Sequence, residues 1–145
     1  MRAERLFEEL RRRGLEARLL RRGPIRGVED YEVLRGGRHV AYLRLFRGRP
    51  PFYRAWVEVY GVEWSMRREA EALVEAAAAA LEERGERVFV EYAGLGDVDR
   101  LLAQGVEPGE TWLGRLLARR GLRVRDMYYP EGFMEGGPKL VGELL

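Results

Sequence analysis

The sequence predicts an α/β (α+β) domain on one mixed sheet of about six to seven strands, and three observations carry that expectation. In "YEVLRGGRHVAYLRLF" two apolar, alternating arms flank Gly36-Gly37, a hairpin signature because both glycines accept positive φ. Farther on, Met66, Ala70, Leu73, Val74, Ala77 and Leu81 form one helical stripe between two strand-like segments; that order implies a parallel strand pair joined by a crossover helix. The chain then closes with "LRVRDMYY" and "KLVGELL", two strands joined through the glycine-rich "PEGFMEGGP", which suits a wide hairpin loop.

Taken in order, residues 2–13 place Leu6, Phe7 and Leu10 on one stripe, an amphipathic helix stopped by Gly14. Leu15, Ala17 and Leu19 alternate with Glu16, Arg18 and Leu20, a short strand ended by "RRGPIRG". After the hairpin, Pro50 and Pro51 cannot donate ladder hydrogen bonds and belong in a loop or at an edge. Ala55, Val57 and Val59 then alternate with Trp56, Glu58 and Tyr60, the third strand of an antiparallel meander. The long helix is expected over residues 66–84, about 28 Å at 1.5 Å per residue, with Ser65 as N-cap and Gly85 just past its end. "RVFVEY" follows as a buried strand, then a short helix between glycine-rich turns and a helix over residues 111–120 stopped by Gly121. No repeat or linker divides the chain, so residues 1–145 read as a single domain whose first 30 residues are its most divergent part.

Composition excludes several chemistries. There is no cysteine, so thiolate nucleophiles, disulfides and cysteine-held metals are ruled out. His39 is the only histidine and Ser65 the only serine; no metal is expected, and His39, set in a strand pattern, reads as structural or exposed. No apolar run is long enough for a membrane span and the N-terminal segment is charged, so a soluble, cytoplasmic protein is expected. Arginine outnumbers lysine 25 to 1 and asparagine is absent, a bias that suits heat adaptation or a GC-rich genome alike. Residues 1–54 carry 15 basic and 7 acidic side chains, whereas the remainder carries 11 and 17. That asymmetry suits an anionic partner near the first half, or two halves that neutralise each other. Arginines beside Phe46, Phe52 and Tyr53 mix basic and aromatic character, but no nucleic-acid-binding motif is present and a nucleic-acid partner is not expected. Trp56, Trp64, Trp112, Phe133 and Met134 suit an apolar substrate cleft, although such residues more often form core or a homodimer surface.

Arg67 and Arg68 open the long helix, where the positive end of the macrodipole disfavours cations by roughly 0.3–1 kcal/mol each. They are either solvated charges or half of an anion site. Meander, long helix, strand, helix and two closing strands, together with "WLGRLLARRGLRVRDMYYPEGFMEGGPKLVGEL", resemble the GNAT-type N-acetyltransferase superfamily over residues 31–145, most closely a small prokaryotic family of unknown function within that fold. The resemblance implies acetyl-coenzyme A or another acyl-coenzyme A as cofactor and an unknown amine as small-molecule substrate. In that superfamily the turn entering the long helix cradles pyrophosphate through Gln or Arg, two residues, Gly, one residue, then Gly or Ala. "RREAEA" supplies Arg67, Ala70 and Ala72 at those spacings, and a second register supplies Ser65, Arg68 and Ala70; neither has the first glycine. The base implied for transfer is a carboxylate on or near the preceding strand, Glu58 or Glu63, with Glu91 on the next strand as a further choice. As strand-face charges all three also read as solvated. The superfamily's usual acid, a last-helix tyrosine four residues before the glycine, is Leu117 here, and Tyr128, Tyr129 or Tyr92 would have to replace it. A non-catalytic ligand- or protein-binding module on the same fold is the alternative.

Overall fold

A computed structural model describes residues 1–48, 54–129 and 135–145. The expectations at Pro50 and Pro51, and at Phe133 and Met134, lie outside the described residues. Helix α1 (Ala3–Arg12) precedes the meander β1 (Glu16–Arg22), β2 (Val28–Arg35), β3 (Arg38–Phe46) and β4 (Trp56–Tyr60). Helix α2 (Arg67–Ala79) leads to β5 (Arg87–Glu91), followed by α3 (Gly96–Ala103), a 3-10 turn (Pro108–Glu110) and α4 (Trp112–Ala118); β6 (Leu122–Tyr129) and β7 (Gly137–Leu144) close the chain. The seven strands form one mixed sheet in the order β1-β2-β3-β4-β5-β7-β6, the fold class read from the sequence. No helix among the described residues is long and apolar enough to cross a membrane.

Local chemistry explains the main elements. Gly36 and Gly37 take φ of 55° and 79° between Arg35 and Arg38, which face each other across β2 and β3, as a two-residue hairpin with both central φ positive requires. β4 and β5 pair in parallel from Trp56/Arg87 to Val59/Val90, while every other neighbouring pair is antiparallel. Thr111 caps α4 by accepting the Gly114 N–H at 2.9 Å. The expected helix over residues 111–120 thus begins one residue later, with Thr111 as its cap.

Three expectations about α2 are corrected. It spans 13 residues and stops at Ala79 instead of reaching residue 84, a length of about 20 Å. The cause is the buried Glu86, whose carboxylate accepts the N–H groups of Glu82 and Glu83 at 2.8 and 2.9 Å and so draws that segment out of helical pairing. Gly85, expected just past the helix, instead lies in the turn into β5 and donates its N–H to the Leu144 carbonyl at 2.7 Å. Nor does Ser65 cap the helix: Met66 holds the N-cap position without a side-chain bond, and the Ser65 hydroxyl donates to Glu63 Oε1 at 2.8 Å, a stronger local acceptor.

The helices cover one face of the sheet. Val57, Val59, Val88 and Val90 of the central strands meet Ala70, Leu73, Val74 and Ala77 of α2 and Leu113, Leu116 and Leu117 of α4 in the main core. Val28, Phe46, Trp56, Phe89 and Val141 form a second apolar cluster with Met127 and Tyr129 on the opposite face. β4 is therefore buried on both faces, unlike a half-exposed meander strand.

Gly114 lies tightly against backbone: an added Cβ would stand 1.8 Å from the Pro108 carbonyl oxygen. Gly114→Ala is expected to cost about 3 kcal/mol through overpacking, read as a lower urea midpoint at unchanged slope; a loss below about 0.5 kcal/mol would contradict this packing.

Candidate functional site

Two groups of residues stand out, one at the end of the sheet where β4 and β5 stop and one on the sheet face opposite the helices. The first surrounds the start of α2. The guanidinium carbon of Arg67 lies 3.4 Å from the centroid of the Trp112 ring, and its Nε is 3.4 Å from Glu71 Oε2. Trp112 is fixed in turn by its indole N–H, which donates to Asp97 Oδ2 at 2.8 Å, and by an edge contact with Trp64 at 5.9 Å between centroids. Arg68 turns the other way and lines a cavity of about 340 Å³ with Arg13, Arg35, Glu69 and Ala72. Adjacent in sequence, the two arginines serve different surroundings. The N–H groups of Arg67, Arg68 and Glu69 precede the first intrahelical bonds and have no acceptor within the helix, while Ala70 donates to Met66. The Ala70 side chain is wholly buried in the core and Ala72 is half-buried.

The second group is ionic and lies on the opposite face of the sheet. Glu58, on β4, and Lys139, on β7, are both 0% exposed and form an ion pair at 2.9 Å. Glu58 Oε2 also accepts the Glu135 N–H at 2.9 Å, and Arg44 of β3 stands 3.5 Å from its other oxygen. Arg44 donates through Nε to Asp30 at 2.6 Å and through a terminal nitrogen to the Tyr60 hydroxyl at 3.5 Å; Arg21 reaches Asp30 from β1 at 2.7 Å. A chain of charges therefore runs across the sheet from β1 to β7, skipping only β5.

Burial and neighbours set the protonation of these groups. Burial pushes the Glu58 carboxyl above the usual carboxylate range, with Lys139 and Arg44 opposing that rise without cancelling it. Tyr60 is pushed up to about 12, mainly by burial. Burial also raises Asp30, but hydrogen bonds from Arg44 and Arg21 outweigh it and leave that carboxyl below its ordinary value.

The other sequence candidates fall as follows. Glu63 is exposed, and its hydrogen bonds from the Ser65 hydroxyl and N–H hold its carboxyl low. Glu91 accepts the Gly61 N–H at 3.4 Å. Tyr128 is 76% exposed on the edge strand β6. Tyr92, just past the end of β5, is buried with its hydroxyl donating to Asp126 at 2.5 Å; burial first and then that carboxylate push the phenol up. It also lines a cavity of about 370 Å³ with Ala93, Gly94, Leu95, Asp99 and Pro138. His39 is structural: its ring nitrogens lie 2.8 Å from Glu32 Oε2 and 2.9 Å from the Gly61 carbonyl oxygen, tying β2, β3 and the turn after β4 together. Among the described residues no group of three or more His, Asp or Glu side chains is placed to hold a metal ion.

Sequence reasoning missed Lys139, Arg44 and Asp30. One signal was present, because a single lysine among 25 arginines marks a position where a compact ammonium is required and a planar guanidinium is not interchangeable.

Two outcomes test the ionic network. Lys139→Met should destabilise by about 3–5 kcal/mol by stranding a buried carboxylate, and adding Glu58→Leu should recover most of that loss; equal stability of the single variant and the wild type in urea would contradict the pair. Because Asp30 is depressed when folded, its contribution is full above the unfolded value near 3.8 and disappears as pH falls through the folded value. Asp30→Asn should therefore flatten the acid limb of stability below about pH 4, as measured by denaturant melts between pH 5 and pH 2.

A family model described as "Protein of unknown function (DUF1122)" matches residues 15–144. Among solved structures, a protein of unknown function from Aquifex aeolicus VF5 is 32% identical with a TM-score of 0.69, covering 89% of this chain and 71% of that chain. A Bacillus subtilis acetyltransferase solved in complex with CoA is 14% identical with a TM-score of 0.42, covering 90% and 97%. The GNAT domain of S. lividans PAT is 15% identical with a TM-score of 0.29, covering 81% and 61%. No curated protein matches the chain. With nearly its whole length matched by the family model and a one-third identical solved relative, the chain belongs to the DUF1122 family of proteins of unknown function.

Proposed function

We propose that the protein is an acyl-coenzyme A-dependent N-acyltransferase acting on a small amine. The observation that carries this reading is Glu58, a wholly buried carboxylate with a raised pKa on the strand that leads into α2. A carboxyl shifted toward neutrality suits a general base better than the exposed, hydrogen-bonded Glu63. Tyr60 lies two residues on along the same strand face and keeps its proton throughout the physiological range, so it supplies a hydroxyl donor. It replaces Tyr128, whose exposure on an edge strand suits that role poorly.

The residues at the start of α2 fit a phosphate-bearing coenzyme in three respects. The N–H groups of Arg67, Arg68 and Glu69 lack helical acceptors, the turn from Ser65 carries both arginines, and Ala70 directs its side chain into the core, away from the solvent side of the turn. Ala72 is small beside Arg68. Glu69 and Glu71 oppose anion binding, and Arg67 offsets Glu71. When bound, the coenzyme would supply an activated acyl thioester. Glu58 would take the proton lost by the attacking amine, and Tyr60 would donate a hydrogen bond where negative charge grows.

A second reading has its own observation. Glu58 is already held by Lys139, Arg44 and the Glu135 N–H, an arrangement that a purely structural, ligand-binding module would also use.

Calorimetry and thermal melts with coenzyme A, acetyl-coenzyme A and a longer acyl thioester separate the two. Ligand at 100 times its dissociation constant should add about 2.7 kcal/mol of stability; absence of binding at millimolar concentration would end the acyltransferase reading. With binding established, thiol release across a panel of amines should fall about 100-fold or more in Glu58→Gln and stay near wild type in Glu63→Gln. The reverse order would transfer the base role to Glu63. Arg67→Ala combined with Arg68→Ala should weaken coenzyme binding at least tenfold.

A further inference from the structure

Three guanidinium groups from separate parts of the chain line one concavity. Arg13 follows α1, Arg35 ends β2, and Arg68 is the second residue of α2; Glu69 and Ala72 complete the lining of about 340 Å³. Arg13 is tied back to α1, donating to the Glu9 carbonyl at 3.0 Å and to the Glu9 carboxylate at 2.5 Å. Neither Arg35 nor Arg68 has a carboxylate within ion-pair distance among the described residues. With Arg13 paired to Glu9, the lining leaves the guanidinium groups of Arg35 and Arg68 against the one carboxylate of Glu69, a positive excess that favours an anion.

Arg35 is also held in place. Its guanidinium donates to the Arg13 carbonyl at 3.3 Å, at the end of α1 where a cation is favoured. It lies so close over Gly14 that a Cβ there would meet its terminal nitrogen at 2.8 Å and its central carbon at 3.2 Å. Gly14, at φ 74°, therefore leaves room for the guanidinium as well as ending the helix. Only one of five guanidinium donors is used in that bond, and the rest are available to a ligand. Forked donors from more than one arginine match the oxygens of a phosphoryl group better than a single carboxylate. The cavity volume falls in the range of small-molecule sites and exceeds what one inorganic ion fills.

We infer that the seam between α1, the end of β2 and α2 binds the phosphoryl group of a small phosphorylated ligand, with Arg35 and Arg68 as the principal contacts. Arg68 is shared with the coenzyme reading, but the inference does not depend on acyl transfer. The phosphoryl group is either that of the coenzyme itself or that of a separate phosphate ester.

The test is calorimetry and thermal melts at fixed ionic strength with inorganic phosphate, pyrophosphate, coenzyme A and 3′-dephospho-coenzyme A, on the wild type, Arg35→Gln, Arg68→Gln and the double variant. Each variant's fold is checked by circular dichroism. Phosphate and pyrophosphate should stabilise the wild type beyond chloride at equal ionic strength, with affinity reduced at least fivefold in each single variant and abolished in the double. No stabilisation beyond chloride, or unchanged affinity in a folded double variant, overturns the site. If Arg35→Gln weakens coenzyme A but not its dephospho form, the phosphoryl group is the coenzyme's. If phosphate binding needs Arg35 while both coenzyme forms bind equally or not at all, the ligand is a separate phosphate ester and the site stands.

Discussion

One parallel pairing sets the geometry on which the rest of this molecule depends. β4 and β5 run side by side in the same direction within a sheet whose other neighbours are all antiparallel, so the chain must leave one end of β4 and return to the opposite end before β5 begins. Helix α2 is that return. Its small buried residues, Ala70, Ala76 and Ala77 among them, allow close approach to the valines of both strands. The same route fixes where the N-terminus of α2 stands, namely at the end of the sheet where the two strands stop pairing. Arg67, Arg68, Tyr60 and Tyr92 are brought to that end by topology, before any side chain interacts with another.

The opposite face of the sheet is held by a different balance. Glu58 and Lys139 are both fully desolvated, and a lone charge in either position would be costly. Paired with each other, with the Glu135 N–H donating to one carboxylate oxygen and the Arg44 charge 3.5 Å from the other, they are tolerated. The pair links β4 to β7 across β5, tying the meander to the closing strands. On the same face, Trp56 stacks on Phe46 at 5.2 Å and meets Phe89 edge-on at 5.7 Å between centroids, and all three rings are buried. Burial raises the Glu58 pKa while Lys139 and Arg44 oppose the rise, so the interaction that joins the two halves of the sheet also tunes that carboxyl.

Much of the fold was legible because local and tertiary preferences agree. The Gly36-Gly37 hairpin rests on two backbone angles that the flanking alternation reinforces, and the strand–helix–strand crossover follows from the length of the α2 pattern. The far end of α2 was not legible. Residues 80–84 have good helix propensity, but a buried carboxylate at Glu86 captures the amides of Glu82 and Glu83, and burial of that kind leaves no local trace. Ser65 failed as a cap for a similar reason, since Glu63 was close enough to take its hydroxyl. At the candidate site, Glu58 could be named from its strand, but alternation suggested a solvated face, and its partner Lys139 lies far along the chain on a strand that only the sheet order brings near. Arg67 and Arg68 look alike in sequence and separate only once α1 and α4 are packed on either side of α2.

The burial of Lys139 has a chemical consequence for the whole surface. It is the only lysine in the chain and has no solvent exposure, so the folded protein presents no ε-amine at all. Reagents, acyl thioesters and enzymes that modify lysine side chains meet a surface whose basic side chains are arginines and His39, with no lysine among them. The single lysine ε-amine becomes available only when β7 separates from its neighbours. Its labelling rate is therefore a built-in reporter of how often the sheet opens, and the native chain is a protein that an acyl donor can approach without lysine side chains competing as acceptors.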